Sequence, residues 1–275
     1  MLVLAGLAAC ASTSTSTSTS TPALPASAAS LATALQARPI VLLGEVHDNA
    51  EQHRLRAAAL RGLLEGGARP ALLMEQFDRE RQADIDRVLA QPGATADAVI
   101  AAAAPANAGW NWALYRPFIT LAITYRLPLL AANVSRADAR GAMQGGLASA
   151  GFDARVPADI EAAQSATIGA SHCGHLDATQ ARRMSLGQVA RDQFMARLIE
   201  ANAARGVVLL AGNGHVRRDV GVPRWLAPPT RAKTLVIGLL EADDAARESD
   251  AYDRVYVTAA ADRPDPCLAF GAASK

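Results

Sequence analysis

The sequence is short of aromatic residues, of net charge, of cysteine and of long apolar runs. Aromatic side chains make up 4% of its 275 residues, so a flat ligand would find few stacking platforms and would rest mostly on aliphatic walls. The formal net charge is +1, which gives no electrostatic reason to expect a nucleic-acid partner. No internal repeat is visible, which removes solenoids and propellers from consideration. What the chain does have is apolar content, 51% of the residues. That is ample for a sizeable core in one large domain.

The first ten residues, Met1-Leu-Val-Leu-Ala-Gly-Leu-Ala-Ala-Cys10, are apolar. They fall far short of the ~20 residues of a spanning helix. Leu7-Ala8-Ala9-Cys10 resembles a bacterial lipobox, with Cys10 as the lipidated residue. No Lys or Arg precedes it, as a signal peptide requires; a start lying upstream or a misassigned start codon would account for that. A Ser/Thr alternation follows and reads, over residues 11–30, as a disordered tether. The expected organisation is a signal remnant over 1–10, the tether over 11–30 and a single domain over 31–275. The expected location is the bacterial cell envelope, lipid-anchored at the outer membrane and facing periplasm or surface; Ala11 resembles residues that permit such sorting. With Cys10 lipidated, Cys173 and Cys267 remain, and an oxidising compartment suggests one disulfide between them. Two unpaired buried thiols are the alternative. Closing so long a loop would contribute roughly 4–5 kcal/mol at most.

Four apolar runs each end in polar groups: Pro39-Ile-Val-Leu-Leu-Gly-Glu-Val-His47, Ala71-Leu-Leu-Met-Glu75, Leu127-Pro-Leu-Leu-Ala-Ala-Asn133 and Val207-Val-Leu-Leu-Ala-Gly-Asn-Gly-His215. Continuous apolar runs read as parallel strands buried on both faces. Strands are expected over residues 40–45, 71–76, 129–134, 207–212, 234–240 and 254–260. Helices are expected over 49–66, 79–90, 95–104, 112–125, 135–145 and 179–204. Residues 149–173 resist assignment and suggest short helices forming a lid or subdomain. The fold class is therefore α/β, with a mainly parallel central sheet flanked by helices and a helical lid or small subdomain.

In open α/β sheets ligands sit at the carboxyl ends of the strands. Glu45, His47, Glu75, Asn133, Asn213 and His215 are thus expected to converge. Two His and two Glu suit a proton relay, or, with His47, Glu75 and His215 as ligands, a divalent metal such as zinc. Arg217 and Arg218 could clamp a carboxylate. The plainer reading gives Glu45 and His47 capping or backbone roles, and makes His53 a solvated helix residue. His172 and His175 flank Cys173 at a spacing that suits a metal, in competition with the disulfide. Trp110, Trp112 and Tyr115 read as core packing or as an apolar wall.

Taken together, Leu43-Gly-Glu-Val-His-Asp48, Leu73-Met-Glu-Gln-Phe77, the stretch from Trp112 to Phe118, Ala131-Ala-Asn133, Arg191-Asp192 with Met195, and Gly212-Asn-Gly-His-Val-Arg217 with Gly221-Val-Pro223 resemble the ChaN-like haem-binding lipoproteins. These belong to the wider Tiki/erythromycin-esterase-like superfamily. The likeness covers most of residues 40–240. It implies an α/β fold and a surface lipoprotein that binds haem for iron acquisition, as a homodimer enclosing haem, with an outer-membrane haem or iron transporter as partner. His172, His175 and Tyr115 are the candidate iron ligands. Arg116, Arg191, Arg217 and Arg218 are candidates for the propionates. The superfamily also contains metal-dependent hydrolases, whose Gly-Glu-x-His, second Glu and later His resemble Glu45, His47, Glu75 and His215. A hydrolase using those four residues is the alternative function.

Overall fold

The apolar runs form a sheet buried on both faces. The computed structural model describes residues 24–104, 109–244, 250–265 and 267–268. Cys10 and residues 11–23 of the expected tether lie outside them. The strands are β1 (Leu24–Pro25), β2 (Ile40–Leu43), β3 (Ala71–Asp78), β4 (Leu129–Asn133), β5 (Val207–Leu210), β6 (Thr234–Glu241) and β7 (Arg254–Thr258). Their order across the sheet is β1-β7-β6-β2-β5-β3-β4, and every pairing is parallel. Alternate residues of β2 feed different cores. Val41 and Leu43 join one with Leu72, Met74, Val208 and Leu210, while Ile40 and Leu42 join another with Ala71, Leu73, Val207 and Leu209. Burial on both sides explains why these strands read as unbroken apolar runs. Each buried Leu or Ile contributes about 1.5–3 kcal/mol of transfer free energy.

The helices are α1 (Ala28–Leu35), α2 (Ala50–Glu65), α3 (Gln82–Leu89), α4 (Ala96–Ala103), α5 (Trp112–Thr124), α6 (Arg136–Gly145), α7 (Ala158–Ser171), α8 (Ala178–Asn202), α9 (Asn213–Val216) and α10 (Pro228–Ala232). Side-chain caps set several starts: Asn49 accepts from the Gln52 amide, Thr95 from Ala98, Ser135 from Asp138. Asp177 and Gln180 form a capping box that starts α8. α5 runs through Pro117. The unassigned stretch is a 3-10 turn, Leu147–Ala150, followed by α7, which packs with α6 and α8 around a small third core of Val134, Phe152, Ile160 and Val189. This is the helical subdomain expected beside the sheet.

The folded part begins earlier than residue 31. Leu24 and Pro25 pair with Tyr256 and Val257, and Ser27 caps α1. So short a strand next to low-complexity sequence has no periodicity to betray it. Cys173 and Cys267 are joined by a disulfide, Cα atoms 5.6 Å apart. Among the described residues, no helix is long and apolar enough to cross a membrane.

Candidate functional site

β2, β5, β3 and β4 lie side by side, so the residues following them emerge at one rim. β2 ends at Leu43, and Gly44 follows because Asn213 and Val216 press on the space a Cβ would need. The chain then turns Glu45 inward, 2% exposed, beneath the rim. Its Oε1 accepts from the Tyr115 hydroxyl at 2.6 Å and from His47 Nδ1 at 2.8 Å. Its Oε2 meets the Arg56 guanidinium, which also donates to the Leu43 carbonyl at 3.1 Å. Burial draws the Arg56 pKa down to about 10, still protonated at neutral pH. A carboxylate can only accept, so Nδ1 of His47 carries the proton, and in the neutral ring Nε2 is left with a lone pair.

Glu75 and His215 form the second half. The Gly212 amide donates to Glu75 Oε2 at 2.7 Å, and His215 Nε2 lies 3.5 Å from Oε1. His215 Nδ1 is held by Asp192 Oδ1 at 2.6 Å, and Asp192 Oδ2 accepts from Gln164 Nε2 at 3.1 Å. Burial acts to raise the Glu75 pKa, but His215, His47, the Gly212 amide and Arg191 bring it net below the usual value. Burial opposes protonation of His215, yet Glu75 and Asp192 raise its pKa overall. Asp192 is raised, chiefly by burial. The two halves meet at Gly212. A Cβ there would stand 2.8 Å from His47 Cε1 and Nε2 and 3.7 Å from Glu75 Oε2, so only glycine lets the imidazole edge approach this backbone.

Two clefts flank this junction. The first, about 630 Å³, is lined by His47, Glu75, Gln76, Trp110, Arg136 and Arg191, among others including Asn133 and His215. Trp110 meets His47 edge-on, ring centroids 4.9 Å apart. Arg191 Nε donates to Asn133 Oδ1 at 3.1 Å. Asp78 on the same wall has its pKa raised by burial against the pull of Arg191, Arg136 and Arg81. The second cleft, about 430 Å³, shares His47, His215 and Gln188 and is walled by Thr167, Ile168 and Ser171 of α7.

His47, Glu75, Asn133 and His215 therefore line one cleft, with Glu45 directly behind His47. Asn213 lies at the second cleft and ties α9 to β6 through the backbone of Leu239. Tyr115 is fully buried with its hydroxyl on Glu45, facing the core, so it has no open face for iron. Arg116 is exposed and pairs with Asp97. Arg217 pairs with Asp219 at the second cleft, and Arg218 with Asp253. His172 and His175 sit at the end of α7, His172 Nδ1 2.8 Å from the Ile168 carbonyl; neither lines either cleft. The expected metal set of His47, Glu75 and His215 is not supported. Among the described residues no three His, Cys, Asp or Glu groups are placed to hold a metal. The imidazoles instead face carboxylates through hydrogen bonds.

His53 is not the solvated helix residue expected. It is 3% exposed, its Nε2 3.0 Å from the His47 carbonyl and its Nδ1 3.7 Å from Glu45 Oε2. Burial lowers its pKa to about 4. Sequence reasoning missed Arg56 as the partner of Glu45 and Asp192 as the partner of His215. A signal for Arg56 existed: it shares a helix face with Gln52, Ala59, Leu60 and Leu63, and an arginine on an apolar stripe requires a buried anion.

The family described as "Haem-binding uptake, Tiki superfamily, ChaN" matches residues 31–226. Among solved structures, "Cofacial heme binding to ChaN of Campylobacter jejuni" superposes with a TM-score of 0.67 at 18% identity, covering 81% of this chain and 89% of that one. The erythromycin esterase mutant EreC H289N in its open conformation matches more loosely, with a TM-score of 0.47 at 15% identity over 90% of this chain and 82% of that one. No curated protein sequence matches.

Proposed function

This chain belongs to the ChaN haem-binding uptake family of the Tiki superfamily, and from that premise we propose that it binds haem for uptake in the cleft beside β3 and β4. The observation that carries the reading is the family match itself, which spans every described residue lining that cleft, from His47 to His215. The donor set suits the ligand. A porphyrin needs an apolar wall, cations for its two carboxylates and an axial donor for iron. Trp110 supplies the wall, and Arg136 and Arg191 supply the cations. His47 supplies the axial donor: its side chain is 45% exposed, and Glu45 holds its Nδ1. A carboxylate behind a ligating imidazole fixes its orientation and raises its basicity. The relative from Campylobacter jejuni is described as binding haem cofacially. The same arrangement here pairs two chains, each presenting one haem from its open cleft.

Titration of the full chain with haem tests this. A saturable Soret shift at one haem per chain is expected, with formation of a dimer. His47→Ala removes the shift, whereas His172→Ala and His175→Ala leave it. A free-haem spectrum at every ratio ends the proposal. Loss confined to the His172 or His175 variants moves the iron to the end of α7.

We further place the protein at the outer membrane of the cell envelope, lipid-anchored through Cys10, with an outer-membrane haem or iron transporter as partner. The support is the apolar stretch ending in Leu7-Ala8-Ala9-Cys10. Radiolabelled fatty acid that still enters a Cys10→Ser variant contradicts the anchor.

One observation favours a second reading, hydrolysis. His47 Nε2 and the Glu75 carboxylate meet at Gly212, His215 Nε2 lies 3.5 Å from that carboxylate, and Asp192 orients His215. An anionic Glu75 or neutral His47 can take a proton from water while His215 donates one to a leaving group. Turnover of a carboxylic-ester panel, lost in Glu75→Gln and His215→Asn, would establish it; no turnover above background removes it.

A further inference from the structure

α7 carries a covalent bond at one end and a hydrogen bond to the crevice in its middle. Cys173, the residue after the α7 C-cap His172, is half-buried, and Cys267 is exposed, so reductants reach the bond. Cys173 also holds φ at +57°, in the left-handed region that a residue with a Cβ adopts only at a cost. Exposed disulfides closing on strained backbone are the labile ones. The apolar hold on α7 is thin: its buried side chains are Ile160, Gln164 and Ile168. The last of these stands with Thr167 and Ser171 in the wall of the second cleft. Two turns before the disulfide, Gln164 Nε2 donates to Asp192 Oδ2 at 3.1 Å and to the Val220 carbonyl at 3.2 Å. Asp192 in turn holds His215.

We propose that Cys173–Cys267 is a reversible redox site whose reduction loosens α7 and, through Gln164, the Asp192–His215 pair in the crevice. The reductant is a thiol or dithiol. Its thiolate attacks one cysteine sulfur, a mixed disulfide forms, and a second thiolate resolves it. Two electrons and two protons pass to the protein, leaving two cysteine thiols, and the reductant leaves as a disulfide. The Gln164 contact makes it a positioning residue for His215. None of this depends on haem binding.

Hydrogen exchange on the full chain, oxidised and reduced, reads the coupling. Reduction is expected to speed exchange of amides 163–173 roughly tenfold, and to speed those of 213–216 as well, while amides of β2 and β5 stay as they were. The Cys267→Ser variant should copy the reduced state. In Gln164→Leu, 163–173 should still respond to reduction and 213–216 should not. Oxidised glutathione should restore the original pattern. Unchanged exchange in α7 overturns the proposal, and so does equal acceleration of every element, because the bond would then support only global stability. If 213–216 respond to reduction in Gln164→Leu as in the native chain, the coupling runs elsewhere and the role of Gln164 falls.

Discussion

Replacing Arg56 by methionine isolates the charge beneath His47. Arg56 is fully buried, and its guanidinium faces Glu45 Oε2 and the Leu43 carbonyl. Methionine keeps the stem that packs near Phe118, over whose ring the guanidinium lies at 5.4 Å. The variant therefore loses little packing, but it strands a carboxylate that is 2% exposed. The Tyr115 hydroxyl and His47 Nδ1 remain on Oε1 only. Breaking a buried pair from one side costs about 3–5 kcal/mol. Against a total stability of roughly 5–15 kcal/mol, that puts the midpoint of a urea transition far below that of the native chain. Removing both charges tells the two causes apart. The Arg56→Met/Glu45→Leu double variant leaves no buried anion beneath His47 and should recover most of the loss, although His47 then has no partner for Nδ1. A single variant that costs less than about 1 kcal/mol, the scale of an exposed pair, would refute the reasoning. A double variant no more stable than the single would refute it equally.

Other expectations follow the same logic. His53 has a folded pKa of about 4 against 6.5 when unfolded, so the unfolded chain binds more protons between those values. Stability is then complete above pH 6.5 and falls by about 3 kcal/mol as pH drops through 4, a slope that should flatten in His53→Gln when denaturation is followed against pH. Arg263 grips Glu241 and Asp48 and lowers the Glu241 pKa to about 2. That contribution is present above pH 4.5 and lost as pH falls toward 2. Arg263→Ala should cost on the order of 1 kcal/mol by urea titration at neutral pH, because solvent screens a half-exposed cation, and nothing extra at pH 2. Gly212→Ala drives a methyl into the His47 edge. It should weaken haem binding by spectral titration while destabilising by about 1–3 kcal/mol; unchanged affinity would separate His47 from the haem site.

Much of the frame could be read from the chain because its signals are local. A strand buried on both faces announces itself as Ile40-Val-Leu-Leu43, and caps such as Asn49, Thr95 and Ser135 mark helix starts to within a residue. α7 was illegible since Ile160, Gln164 and Ile168 are too sparse and too mixed to form a stripe among alanines. The site was half legible. Glu45, His47, Glu75 and His215 stand at the ends of strands, where position alone predicts convergence. Arg56, Asp192 and Gln164 come from the flanks of helices, and only packing chooses their partners. The same holds for His53 and Tyr115: one step of helical phase decides between solvent and the interior, and both turn inward against Glu45.

The strand order also governs when this molecule can exist. β5 sits between β2 and β3, and β6 lies on the far side of β2. A nascent chain that has emerged only as far as α8 holds the paired β3 and β4 and an unpaired β2, with an empty slot between them. From the end of β3 at Asp78, more than a hundred residues must follow before β5 begins at Val207 and fills that slot. Such long-range pairing folds slowly and leaves edges open to aggregation meanwhile. Pairing that waits for the whole sheet-forming stretch therefore suits this topology better than stepwise folding during synthesis.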